Sequence, residues 1–251
     1  MSGRANLIVL DDGAALAAAV AARFVERGRA AIEARGRFFI ALAGGSTPKA
    51  SYALIAASER DALDWNRVRF FFGDERCVPP DSDASNFKMA LTNLMAPLQI
   101  PAEHVFRMHG EDDPAAAARA YAEVVVREVP AESGVPVFDL VMLGMGPDGH
   151  TASLFPGSDP HEDDAALVRA PFVAKFGTHR LTLTPRVLTA ARVIDVATAG
   201  PTKTAALAAV LEGPPDPVRY PISVLADAGD RVTWLVDRIA AAQLADSVKA
   251  T

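Results

Sequence analysis

Phe38-Phe39-Ile40-Ala41-Leu42-Ala43-Gly44-Gly45-Ser46-Thr47-Pro48 is the stretch that decides the fold. Six consecutive apolar residues without alternation read as a parallel strand covered on both faces. Two glycines follow and let the backbone turn sharply or approach a ligand. Thr47 is placed to cap a helix and Pro48 to occupy its first position. A strand, a Gly loop and a helix start together make one β-then-α unit.

Working outward, the same unit recurs. Leu7–Leu10 precedes an Ala-rich helical stretch from Ala14 to about Ala34. Arg69–Phe72 precedes a polar loop and a helix from about Phe87. Leu140–Leu143 precedes a Gly-rich turn, and Val193–Ala197 precedes a helix from about Lys203. Val232–Val236 is the last strand. Repetition of this kind argues for an α/β fold: an open, doubly wound, mainly parallel, Rossmann-like sheet with helices on both faces. Arg169–Lys175 and Arg180–Thr184 read as antiparallel strands, a small addition to the core sheet. With no linker and no internal repeat, residues 1–251 read as a single domain.

Composition narrows the classes. Hydrophobic residues make up 50% and charged residues 22%, which excludes a disordered chain. Seventeen glycines and 18 prolines without a period exclude a fibrous or low-complexity scaffold. A chain of 251 residues buries roughly 70–75% of its unfolded surface and needs no staples. Cys77 is the one cysteine, so no internal disulfide framework exists, as in a reducing compartment. The net charge of −6 repels phosphate backbones and argues against a nucleic-acid partner. The N-terminal residues lack a signal-peptide pattern. The run from Ala14 to Ala22 is far short of the ~20 residues of a membrane span. A cytoplasmic protein without membrane attachment is the expectation.

In an open α/β sheet, ligands bind beyond the carboxyl ends of the strands. Four loops matter there. Gly44, Gly45, Ser46 and Thr47 form either a well-capped tight turn or an anion site of backbone N–H groups at a positive helix end; the spacing is not that of a Walker loop. Gly73-Asp74-Glu75-Arg76 reads as a solvated turn with a local ion pair, or as a set of charged groups offered to a ligand. Gly144-Met145-Gly146-Pro147-Asp148-Gly149-His150 formally matches a dinucleotide fingerprint. It sits late in the chain, contains Pro147 and leads into an irregular acidic loop, so a tight bend presenting Asp148 and His150 is the better reading. Gly200-Pro201-Thr202-Lys203 repeats the Gly loop and helix start, with a lysine whose charge conflicts with the helix dipole unless an anion lies between. Arg180 adds a second cation.

Of the five histidines, His104, His109, His161 and His179 read as structural or exposed. His150, among glycines at a strand end and two residues from a carboxylate, reads as a general base. No Gly-x-Ser-x-Gly elbow is present, which argues against a serine hydrolase. Asp159-Pro160-His161-Glu162-Asp163-Asp164 reads as a solvated acidic loop rather than a metal site, and Cys77 as an incidental thiol. No metal or cofactor is expected.

Taken in order, Gly44–Pro48, Gly73–Arg76, Ser85-Asn86, Gly144–Pro156, Arg180-Leu181-Thr182-Leu183-Thr184-Pro185 and Gly200-Pro201-Thr202-Lys203-Thr204 resemble the glucosamine-6-phosphate isomerase/6-phosphogluconolactonase family over nearly the whole chain. The resemblance implies hydrolysis of a phosphorylated sugar lactone, 6-phospho-D-glucono-1,5-lactone, in the oxidative pentose phosphate pathway. It implies His150 and Asp148 as the catalytic pair, with Gly44, Gly45, Ser46, Thr47, Asp74, Arg76, Arg180 and Lys203 around the substrate. The related deaminases place a glutamate five residues after the histidine, where this chain has Phe155. They use an aspartate corresponding to Asp74 as a proton-transfer base, which lactone hydrolysis does not need. Asp74 is therefore assigned to positioning or pocket electrostatics. A deaminase-like isomerase and a non-catalytic sugar-phosphate sensor are the alternatives. The sensor is disfavoured by the retained His–Asp pair. A monomer is the expected state.

Overall fold

The computed structural model describes residues 6–157 and 165–249. The acidic stretch Asp159–Asp164, with His161, and the first five residues read for a signal sequence lie outside them.

The chain runs β1 (Asn6–Leu10), α1 (Gly13–Arg35), β2 (Phe38–Leu42), α2 (Ser46–Ser58), β3 (Val68–Phe72), β4 (Asp74–Arg76), α3 (Asn86–Ala90) and α4 (Pro114–Glu128). A hairpin of β5 (Ala131–Glu132) and β6 (Val135–Pro136) follows, then β7 (Leu140–Gly144), β8 (Val168–Arg169), β9 (Phe172–Val173) and β10 (Thr178–Leu183). The last elements are α5 (Pro185–Ala190), β11 (Ile194–Thr198), α6 (Thr204–Glu212), β12 (Val232–Asp237) and α7 (Asp246–Lys249).

The core is a six-stranded sheet in the order β1-β12-β11-β7-β2-β3. Every neighbouring pair in it is parallel. Strands β2, β11 and β12 are buried throughout, as parallel strands between helical layers must be, whereas the edge strand β1 leaves Ile8 exposed. Alternate residues of β2 serve opposite cores: Phe38, Ile40 and Leu42 pack with Leu16, Phe24 and Tyr52, whereas Phe39 and Ala41 pack with Tyr121, Val187 and Leu207. Each fully buried aromatic or aliphatic side chain contributes roughly 1.5–3 kcal/mol. From β2 the chain winds outward to β3, and from β7 it winds the other way to β11 and β12. The winding therefore reverses between β2 and β7, which opens a crevice at their carboxyl ends.

Local signals set the element ends. The Asp12 carboxylate accepts from the Ala14 and Ala15 amides at 2.9 and 2.8 Å, and Gly36 closes α1 in the left-handed region. Two expectations need correction. Thr47 is not the cap of α2: the helix begins at Ser46 on an N-cap at Gly45 with φ 104°, and no side chain caps it. The positive φ at Gly45 turns the chain straight into the helix, so Pro48 falls within its first turn and the leading amides keep no side-chain acceptor. The antiparallel addition does not extend the core sheet either. Strands β4, β10 and β8 form a separate sheet, with β9 paired to β10. Asp74–Arg76, expected as a solvated turn, is its first strand: Asp74, Glu75 and Arg76 pair with Thr182, Leu181 and Arg180. Gly73 is the joint, because its N–H donates to Leu42 of the core (2.9 Å) and its carbonyl accepts from Leu183 of the second sheet (2.8 Å).

Helix α4 and the β5–β6 hairpin were not anticipated, although Asp113-Pro114 supplies a cap and a helix-starting proline. Among the described residues no helix is long and apolar enough to cross a membrane.

Candidate active site

A cleft of about 240 Å³ lies at the carboxyl ends of the core strands. Gly44 and Gly45 after β2, Asp74 and Arg76 of β4, Gly144–Gly146 and His150 after β7, and Lys203 before α6 all line it, with Arg180 from β10. The four loops singled out in the sequence therefore meet. Ser46 and Thr47 are the exceptions: they form the first turn of α2 and do not line the cleft.

Tight packing in the loop after β7 presents the histidine. Gly149 adopts φ 76°, a conformation that favours glycine. A Cβ on Gly146 would overlap the His150 ring and come within 2.7 Å of Asp148 Oδ1. The His150 ring is thereby held 2.5 Å through Nδ1 from Asp148 Oδ1, leaving Nε2 as the nitrogen not engaged by the carboxylate. Lys175 donates to the other oxygen, Asp148 Oδ2, at 3.2 Å. Burial by itself would raise the Asp148 carboxyl, but the hydrogen bond and charge of His150 together with Lys175 bring it down to about 2. Asp148 is thus an anion at any ordinary pH. Phe155 stacks on the His150 ring, with centroids 4.4 Å apart and planes at 29°.

Positive charge is concentrated opposite. Arg180 faces Arg76 across the β4–β10 ladder. Burial and the neighbouring Arg76 charge both lower the Arg180 pKa. Burial lowers Lys203 as well, with Asp148 opposing that shift. Neither Arg180 nor Lys203 forms an ion pair among the described residues. Two desolvated cations without carboxylate partners, in a chain of net charge −6, are chemically equipped for an anionic ligand.

The carboxylates of β4 behave differently. Asp74 Oδ2 accepts from Ser153 Oγ at 2.7 Å, and its Oδ1 accepts from Asn86 Nδ2 at 3.1 Å. Glu75 turns away from the cleft: it accepts from the amides of Arg76, Asn86 and Phe87 and from Ser85 Oγ, at 2.7–3.0 Å. Burial raises its pKa, and the three amide hydrogen bonds pull the other way. Glu75 thus anchors the start of α3, which holds Asn86 against Gly44; a Cβ on Gly44 would overlap the Asn86 side chain. The Cys77 thiol is raised by burial, with Arg180 opposing that shift, which works against a reactive thiolate.

Residues 11–234 match the family of glucosamine-6-phosphate isomerases/6-phosphogluconolactonase. This chain belongs to that family.

The glucosamine-6-phosphate isomerase/6-phosphogluconolactonase family resemblance drawn from the motifs is borne out. Within the family, the 6-phosphogluconolactonase of Nostoc sp. is 38% identical over 243 residues, covering 94% of this chain and 97% of its own. That of Treponema pallidum is 38% identical over 206 residues, covering 82% and 84%. Among solved structures, the 6-phosphogluconolactonase from Trypanosoma cruzi superposes with a TM-score of 0.87 at 31% identity, covering 97% of this chain and 98% of its own. A monomeric glucosamine-6-phosphate deaminase shares the fold, with a TM-score of 0.80 at 20% identity over 95% and 99% of the two chains.

Sequence reasoning found His150, Asp148, Gly44, Gly45, Asp74, Arg76, Arg180 and Lys203 near the cleft. It missed the supporting residues. Ser153 and Asn86 were within quoted motifs but carried no role, and Phe155 was read only as a departure from the deaminases. Lys175 and Phe176 come from a distant turn and gave no local signal.

Proposed function

We propose that this chain hydrolyses 6-phospho-D-glucono-1,5-lactone to 6-phosphogluconate. The observation that carries this reading is the Asp148–His150 pair at 2.5 Å, its imidazole lining the same cleft as Arg180 and Lys203, which form no ion pair among the described residues. His150 Nε2 takes a proton from water as its oxygen attacks the lactone carbonyl. Asp148 fixes the ring through Nδ1 and stabilises the imidazolium. The tetrahedral oxyanion is met by backbone N–H groups of the Gly44–Gly45 loop or by a nearby cation. As the ester C–O bond breaks, the imidazolium returns its proton to the departing ring oxygen, giving a hydroxyl and a carboxylic acid that ionises. Arg76, Arg180 and Lys203 hold the phosphoryl group and sugar hydroxyls, and Asp74 orients the substrate or tunes the pocket. Action as a monomer in the cytoplasm is part of this proposal.

Two observations favour the lactonase over the deaminase-like alternative. Phe155, an apolar ring, occupies the position where the deaminases carry a glutamate. Both oxygens of Asp74 already accept hydrogen bonds from Ser153 and Asn86, which ill suits a proton shuttle. The relatives at 38% identity support the same branch. The deciding assay mixes the protein with freshly prepared lactone and follows acid release above the spontaneous rate, alongside ammonia release from glucosamine 6-phosphate. Fast acid release without ammonia is expected. Ammonia release, or no acceleration of either reaction, would overturn the reading.

A further inference from the structure

We propose that Phe176 is a positioning residue that couples the grip on the substrate's phosphoryl group to the alignment of the general base; the inference rests on the lactonase reading above. Phe176 sits in a single 3-10 turn, Ala174–Phe176, ended by Gly177 in the left-handed region at φ 62°. The turn belongs to the antiparallel sheet, yet the ring lines the cleft. It is 48% exposed, so it is not there to fill a core.

Its contacts close a circuit. The Arg180 guanidinium carbon lies 5.0 Å from the Phe176 centroid and Lys175 Nζ lies 5.6 Å from it. Lys175 also bonds Asp148 Oδ2, and Asp148 bonds His150. His150 stacks on Phe155, and Phe155 meets Phe176 edge-on at 5.7 Å and 75°. One ring therefore touches the cation proposed to hold phosphate, the lysine that steadies the catalytic carboxylate, and the aromatic that backs the catalytic imidazole. Cation–π attraction strengthens as water is excluded. A phosphoryl group that settles on Arg180 pins the guanidinium over the Phe176 face, and the edge contact of Phe176 with Phe155 carries that order to the Phe155–His150 stack. The second exposed phenylalanine of this sheet supplies a contrast: Phe172, 59% exposed, packs edge-on against His179 at 5.2 Å and does not line the cleft.

The test compares kcat and KM of the intact protein on the 6-phosphorylated lactone and on the same lactone lacking the phosphoryl group. Phe176→Ala is expected to lower kcat/KM on the phosphorylated substrate about tenfold, through a raised KM and a lowered kcat, the size of effect that ring stacking and cation–π contacts support. On the unphosphorylated lactone, which leaves Arg180 unengaged, both values stay near wild type. Phe176→Tyr restores both values, Phe176→Leu restores bulk but leaves KM raised, and Phe172→Ala matches wild type. Equal losses on the two lactones, full rescue by leucine, or a Phe176→Ala enzyme no different from Phe172→Ala would each overturn the coupling while leaving the lactonase reading intact. A wild-type protein inactive on both lactones would instead remove that reading and the coupling together.

Discussion

Gly146 and His150 are packed so closely that a side chain at the first would occupy the space of the second's ring. The backbone reinforces this, since Gly146 N–H donates to the His150 carbonyl at 2.8 Å. Gly146→Ala is expected to push the imidazole off Asp148 and lower kcat about 10²-fold, the scale of a catalytic group displaced by about 1 Å. Steady-state kinetics beside a thermal melt will separate this from simple unfolding.

His150→Ala should lower kcat by about 10²–10⁴-fold, the usual value of a general base. Its melting temperature should stay near wild type, because the ring is partly exposed at the cleft rather than in either core. Near-normal turnover in this variant would exclude His150 as the base.

Lys203→Ala and Arg180→Ala should chiefly raise KM. A charge-assisted hydrogen bond of about 1.5–3 kcal/mol corresponds to roughly 10–100-fold. If either variant instead lowered kcat and kcat/KM equally at constant KM, that cation would be acting in the transition state.

Asp148 predicts a pH dependence of stability with a definite sign. Its folded pKa of about 2 lies below the unfolded value of about 3.9. The contribution is therefore complete above about 3.9 and is lost as pH falls toward about 2. Denaturant melts of Asp148→Asn should lack this acid-side component, and a variant that loses stability from pH 4 to pH 2 as steeply as wild type would contradict it.

Glu75→Ala should destabilise by about 3 kcal/mol, since it strands buried donors at the start of α3. The melting temperature should fall by roughly 6–12 °C, measured by circular dichroism. A loss of activity without a shift in melting would mean that Glu75 acts on substrate instead.

Much of this architecture was readable from local pattern. The runs Phe38–Ala43 and Leu140–Leu143 announced buried parallel strands because no residue within them tolerates water, and glycines marked where each strand hands over to a loop. Asp74-Glu75-Arg76 misled because three charged residues resemble a solvated turn. They form a strand only because Thr178–Leu183, far along the chain, supplies their hydrogen-bond partners. Thr47 had the chemistry of a cap but not the geometry, since Gly45 turns the chain first. Lys175 and Phe176 were invisible for a related reason: their roles depend on a tertiary meeting with Asp148 and Phe155 that no local pattern records.

The joint at Gly73 divides labour between two scaffolds. The imidazole and its carboxylate ride on the parallel sheet, whereas Arg76, Arg180 and Phe176 ride on the antiparallel one. The Ala174–Gly177 turn bridges the two, because Phe176 lies against Arg180 while Lys175 bonds Asp148, so reshaping it would alter the anion-facing side and the setting of the imidazole together.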